Sequence, residues 1–255
     1  MPSNFHIGRS VLSSSLRLWS GTWGILPTQK PQQLLNLFDR EDDPRCRLVR
    51  EALTELNLDA VIYPCPKGGQ RFMHKRLQLQ GKTGGTSSLP LLHDPNTGKV
   101  LHGPEKIIQY LFTQYLRSAA LPARLKDSIF NRISSSLASL ASETIHAQAS
   151  IAPKKNLVLY SFESSPFARL VRERLCALEL PYHLINVGKM NWGEMGPAVR
   201  RLAPGPYIPK PSSKRSEFFL KYGKVQIPCL VDPNQNTDLF ESSEIVQYLT
   251  RHYAK

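Results

Sequence analysis

The chain has 255 residues, 41% of them hydrophobic, and a formal net charge of +13. That length fits one large domain or two of ordinary size, and no apolar run reaches the ~18 residues that would read as a membrane-spanning helix. Four cysteines (Cys46, Cys65, Cys176 and Cys229) without a C-x-x-C or a zinc spacing, and seven scattered histidines, exclude a secreted disulfide scaffold and predict no metal site.

Residues 1 to 33 read as a leader. The first 38 residues contain no Asp or Glu, and Phe5, Leu12, Leu16, Trp19 and Trp23 recur at helical spacing on one face. Acid-poor, Ser/Arg-containing and amphipathic describes a transit peptide; it also describes a helix lying on a membrane surface or a disordered tail. All three stay open. The expected localisation is a reducing compartment: the chloroplast if the leader is a transit peptide, otherwise the cytoplasm, with peripheral membrane attachment allowed.

Beyond the leader the chain repeats itself. RLVREALTELNL (Arg47 to Leu58) matches RLVRERLCALEL (Arg169 to Leu180) at eight of twelve positions. LPLLHDPNTGKVLHGPEKIIQYL (Leu89 to Leu111) matches IPCLVDPNQNTDLFESSEIVQYL (Ile227 to Leu249) at ten of twenty-three without a gap. Two matches in the same order predict two copies of one domain, over residues 34–117 and 155–255. Each copy reads as an apolar strand (LLNLF, LVLYSF), a helix carrying RLVRE, and a second strand (AVIYP, YHLIN). A variable connection follows, then a hairpin turning at Asp94 or Asp232, then a helix ending in QYL. A βαβ unit plus a hairpin and helix predicts an α/β fold with a four-stranded mixed sheet in each copy. Residues 118–154 carry Leu125, Ile129, Ile133, Leu137 and Leu140 and predict a connecting helix. Copy two holds an insertion, Asn191 to Gly223, with a proline-rich loop and then a short helix over SKRSEFFLKYGK.

The turn SSPFARLVR, the Ile-Pro before a strand and the start of the ESSEIVQYL helix resemble the thioredoxin-like N-terminal domain of glutathione S-transferases, and glutaredoxins are similar. The tandem arrangement, together with YPCPKGG (Tyr63 to Gly69), resembles two-copy proteins of this kind found in cyanobacteria, other bacteria and plastids. The resemblance implies glutathione as ligand, with transferase-like or glutaredoxin-like chemistry. It implies a site of three parts. The N-terminus of the first helix stabilises a thiolate; a cis-proline loop meets the glutathione backbone; a Glu-Ser pair meets its γ-glutamyl end. In copy two these are Ser165, Ile227-Pro228 and Glu241-Ser242, with Ser165 in the place of a catalytic serine that stabilises the thiolate. An ordinary N-cap is the competing role for Ser165.

Copy one keeps Pro90 but has Gly103-Pro104 in place of the Glu-Ser pair, and its helix starts DDPRCR. Asp43 replaces the usual first cysteine, and Ala168 replaces the second one in copy two, so dithiol exchange is not expected. Cys46, in a first helical turn beside Arg45 and Arg47, is the candidate for an activated monothiol; a pair with Cys65 is a further alternative. Two connections rich in Lys and Arg, from Lys67 to Lys82 and from Lys189 to Lys224, predict an anionic partner: glutathione, an acidic protein or an anionic membrane surface. No nucleic-acid motif is present. A non-catalytic tandem scaffold is the rival to a glutathione-dependent enzyme.

Overall fold

A computed structural model describes residues 4–81, 88–126, 146–195 and 205–255. The first half comprises β1 (Leu35–Asp39), α2 (Pro44–Glu55), β2 (Ala60–Pro64), α3 (Met73–Gly81), β3 (Leu91–Asp94), β4 (Lys99–His102) and α4 (Pro104–Leu111), preceded by α1 (Asn4–Leu16). The second half repeats that order as β5 (Leu157–Ser161), α5 (Pro166–Ala177), β6 (Tyr182–Asn186), α6 (Lys214–Tyr222), β7 (Cys229–Asp232), β8 (Thr237–Leu239) and α7 (Ser242–Tyr253). The connection after β2 therefore contains a helix, α3, that matches α6 within the insertion of the second half. Residues 127–145, where most of the expected connecting helix falls, lie outside the described residues; the buried Leu125 closes a 3-10 turn.

The expectation of two separate four-stranded sheets is corrected. All eight strands form one sheet in the order β4-β3-β1-β2-β6-β5-β7-β8. Within each half the first two strands are parallel and the third joins antiparallel, as a βαβ unit and hairpin require. The halves join because β2 and β6, which would otherwise be edges, pair antiparallel with each other. An unpaired edge is a row of open backbone donors and acceptors, and this pairing covers both. Val61 lies opposite His183, its own counterpart in the repeat, so a pseudo-twofold axis passes through that pair.

One core serves both halves. Leu35 and Leu37 of β1 and Leu157 and Leu159 of β5 are buried in the same cluster as Leu53, Ile107, Val171 and Leu249 from the helices. Alternate residues point to the other face. There Phe38 stacks on Tyr63 and Tyr160 packs on Phe218 of α6. The DPN turns do more than reverse the chain. Asp94 accepts hydrogen bonds from the hydroxyls of Tyr110 and Tyr115, and Asp232 from Tyr248 (2.8 Å) and Tyr253 (2.5 Å). Each hairpin is thus fastened to the end of the helix that follows it.

The RLVR repeats bury their arginines. Arg47, Arg50, Arg169 and Arg172 are among the largest fully buried side chains. Arg50 pairs with Asp39 of its own half and with Glu163 of the other; Arg172 pairs with Glu163 and, across the axis, with Glu41. Glu41 and Glu163 are themselves counterparts in the repeat, so the halves exchange ion pairs. Helix α1 lies over this cluster. Arg9 pairs with Glu173 at 2.8 Å and Arg17 with Glu51 at 2.5 Å, and Ser13 accepts from both Arg47 and Arg169. In the described residues, then, the leader is a packed helix that closes the pseudo-symmetric interface.

Candidate functional site

In both halves the site that the fold offers lies at the C-terminal end of the first strand, where the first helix begins and the chain enters its third strand. The register brings these parts together. Phe38 pairs with Leu91 and Tyr160 with Cys229, which sets Leu89-Pro90 beside Asp39 and Ile227-Pro228 beside Ser161. Both X-Pro bonds are cis.

In the second half Ser165 is the N-cap of α5. Its hydroxyl accepts the Ala168 N–H at 3.2 Å, as short polar side chains do at helix starts. Ser165 is 2% exposed. The N-terminal segment sits on its neighbours: Ser10 donates to the Pro166 carbonyl, Ser14 to the Ser164 carbonyl, the Ser164 N–H to the Gly21 carbonyl, and Thr22 bonds the Ser164 hydroxyl. Glu241 is the exposed N-cap residue of α7 and accepts from Gln226, just before Ile227-Pro228. Ser242 is buried at the first position of that helix. The cis-proline loop and the Glu-Ser start therefore adjoin, while Ser165 is enclosed beneath the leader.

In the first half the corresponding position is an open cleft of about 350 Å³, within the range of small-molecule sites. Arg40, Asp43 and Arg45 line it around the start of α2, Ser88 and Leu89 from the cis-proline loop, and Cys65, Gly68, Gly69, Phe72 and Arg76, among others, from the connection after β2. Glu179 of the second half completes the wall. Its carboxylate accepts the Arg71 N–H and lies so close to Gly69 that a Cβ there would stand 2.6 Å from a carboxylate oxygen, so a side chain at that position would have to displace Glu179. Asp43 caps α2 by accepting the Arg45 N–H at 2.8 Å and pairs with the Arg45 guanidinium at 2.9 Å. Burial works to raise its pKa, but the bonds from Arg45 prevail and hold the carboxyl below its ordinary value. The helix N-terminus that would favour a thiolate already carries a carboxylate.

The activated-thiol expectation for Cys46 meets a closed, apolar setting. Cys46 is fully buried, in a small cluster with Phe38, Leu89 and Leu91. Burial, then Asp39 and Asp43, push its thiol well above its ordinary value. Its neighbours Arg45 and Arg47 turn to Asp43 and Glu51 instead. Cys65, half-buried at the cleft, is pushed up to about 12 by burial despite Arg76. All four cysteines are free thiols, and burial raises Cys176 and Cys229 as well. No group of His, Cys, Asp and Glu suited to a metal occurs among the described residues.

The doubled βαβαββα order, the paired cis-prolines and a cleft at the helix start define a tandem protein of thioredoxin-like fold. The family model for the glutathione S-transferase N-terminal domain matches residues 37–119 and 159–255, and the chain belongs to that family, with one copy of the domain in each half. No curated protein and no solved structure matches it significantly.

The cleft arginines escaped the motif comparison, which followed the Ser165, Ile227-Pro228 and Glu241-Ser242 positions. The available signal was the acid-free basic run from Lys67 to Lys82. Of that run Arg76 reaches the cleft, whereas Arg71 is spent on the second half, donating to the carbonyls of Leu178, Glu179 and Ser150.

Proposed function

We propose that the protein binds glutathione without activating its thiol, and that it does so in the first half. One observation carries this reading: in the open cleft at the start of α2 and the cis-proline loop, Arg40, Arg45 and Arg76 outnumber the carboxylates Asp43 and Glu179, even with Arg40 and Arg45 paired to Asp42 and Asp43. Guanidiniums suit the carboxylates of a γ-glutamyl peptide, since charge-assisted bonds to carboxylate are the strong ones. The Asp43 carboxylate at the helix start opposes a thiolate there, and the neighbouring Cys65 holds its proton. The ligand is therefore bound as the thiol, and neither transfer to an electrophile nor disulfide exchange follows. This favours the binding module over the enzyme.

Calorimetric titration with glutathione tests it, on the wild type, on Arg45→Ala/Arg76→Ala and on Glu241→Ala/Ser242→Ala. Removing two charged contacts weakens binding at least about tenfold in the arginine variant and leaves the Glu-Ser variant unchanged. No heat at millimolar glutathione overturns the reading. A second reading, thiolate stabilisation by Ser165 in the second half, draws support from the adjacency of Gln226 and Glu241 at the start of α7. It predicts the reverse sensitivity, turnover of a model electrophile, and a gain of both on removing residues 1–24.

A further inference from the structure

Helix α1 is folded inside out. Arg9, Ser10, Ser13, Ser14 and Arg17 are buried, whereas Leu12 and Leu16 on its other face are exposed. The polar face cannot simply turn outward: Arg9 and Arg17 are the partners of the buried carboxylates of Glu173 and Glu51. So the apolar face is committed to the outside. It continues beyond the helix. Leu18 and Trp19 both hold left-handed backbone, with φ of 48° and 55°, which bulky residues seldom adopt. That turn leaves Leu18 90% exposed. Trp23 follows, packed edge-on against Trp192 of the second half with ring centroids 5.1 Å apart, and Trp192 is itself 75% exposed.

We infer that this face binds the surface of a membrane that carries anionic headgroups. Two exposed tryptophans in contact, one of them a few residues along the chain from the exposed leucines, suit the headgroup boundary, where an amphipathic ring gains on both sides. The stretches that carry them hold no exposed carboxylate to repel anionic lipid. Residues 1–38 contain no acid, and between Val187 and Ser216 the one acid is Glu194. Glu194 is buried and accepts from the Met190 and Lys210 N–H groups. The apolar face is therefore free of exposed carboxylates on both stretches that form it, on a chain of net charge +13. The same net charge disfavours a second copy as the cover, because two such faces would meet with like fields. No helix among the described residues is long and apolar enough to cross a membrane, so attachment is to the surface.

Vesicle co-sedimentation of the full chain tests this, with phosphatidylcholine alone and with about 30% phosphatidylserine added. Wild type should sediment with the anionic vesicles and remain in solution with the neutral ones, and its tryptophan emission should shift to the blue on binding. Leu18→Ser/Trp192→Ser should lower the partition coefficient at least about tenfold; circular dichroism checks that it folds, and Trp192→Ser alone serves if it does not. Wild type left in the supernatant with both vesicles overturns the inference, as does equal binding to both or a folded variant that binds like wild type. Dimers in light scattering that the variant abolishes also overturn it, and assign the face to a second copy.

Discussion

Arg50 of the first half and Glu163 of the second form an ion pair of 3.0 Å in which each side chain is 1% exposed. The repeat supplies the mirror relationship, Arg172 with Glu41 at 3.0 Å. Each half thus buries a carboxylate that the other half neutralises. Burial alone would lower both guanidiniums, but the facing carboxylates prevail and raise them above their ordinary values. The exchange adds a partner from the other half to charges that each half also pairs within itself, and so ties the two copies together across the shared core and sheet.

Breaking one side of the exchange should cost more than the exchange contributes. Glu163→Gln leaves Arg50 and Arg172 with one carboxylate fewer in a dry environment, a class of change that costs about 3–5 kcal/mol. The urea midpoint of the variant should fall accordingly, and the transition should stay single because the halves unfold together. Two separated transitions in the wild type would contradict the shared core.

Arg169 and Arg172 should respond in opposite ways. Arg172 meets Glu41 and Glu163. Arg169 has no hydrogen-bond partner at Nε or Nη2, and its Nη1 reaches Ser13 at 3.3 Å; burial, then Arg47, push it down to about 9. Its natural partner by spacing, Glu173, is taken by Arg9. Arg172→Met should destabilise by about 3–5 kcal/mol, while Arg169→Met should be neutral or stabilising by up to about 4 kcal/mol. Thermal unfolding of the two variants decides it; equal losses would contradict the assignment.

The acid limb of stability should depend on Glu163. Burial opposes its ionisation, but Arg172 and Arg50 prevail and bring it to about 2, against 4.5 unperturbed. Its contribution is present in full above about pH 4.5 and is lost as pH falls toward 2. Asp39 and Glu173 are raised, chiefly by burial, so their ionisation costs stability at neutral pH and acid relieves that cost. Urea unfolding between pH 5 and 2 should show a shallower acid decline in Glu163→Gln than in wild type. Parallel declines would show that other carboxylates set the limb.

Thiol labelling should separate Cys46 from any redox role. In the native protein Cys46 should resist iodoacetamide at pH 7 to 9 and react on unfolding, since it is buried and its thiol is raised. Cys65, half-exposed, should label slowly, at a rate still climbing at pH 10 because its thiol titrates at about 12. Fast native labelling of Cys46 that levels off near pH 7 would restore it as a nucleophile.

The repeat made the two halves legible because strand, helix and turn signals recur at matched positions. It did not reveal their union, since the pairing of β2 with β6 leaves no local pattern; AVIYP and YHLIN read as strands whether or not they pair with each other. The arginines of RLVR flank the apolar Leu48 and Val49, and apolar periodicity does not mark a charged residue as buried. The clue was that Glu41 and Glu163 recur together with Arg50 and Arg172, a coincidence that a solvated surface has no reason to keep. The leader's apolar stripe was legible as one face, but periodicity does not say which face is buried. Here buried carboxylates claimed the polar side. Ser165 fitted a site motif at its own turn; what encloses it comes from more than 140 residues earlier in the chain.

The most direct measurement of the central claim is the set of backbone amide shifts on adding glutathione to isotope-labelled protein. The account predicts changes centred on Arg45, Gly68, Gly69 and Ser88 around the first-half cleft, with Ser165 and Glu241 unmoved. Shifts confined to Ile227, Glu241 and Ser242, or none at millimolar ligand, would contradict it.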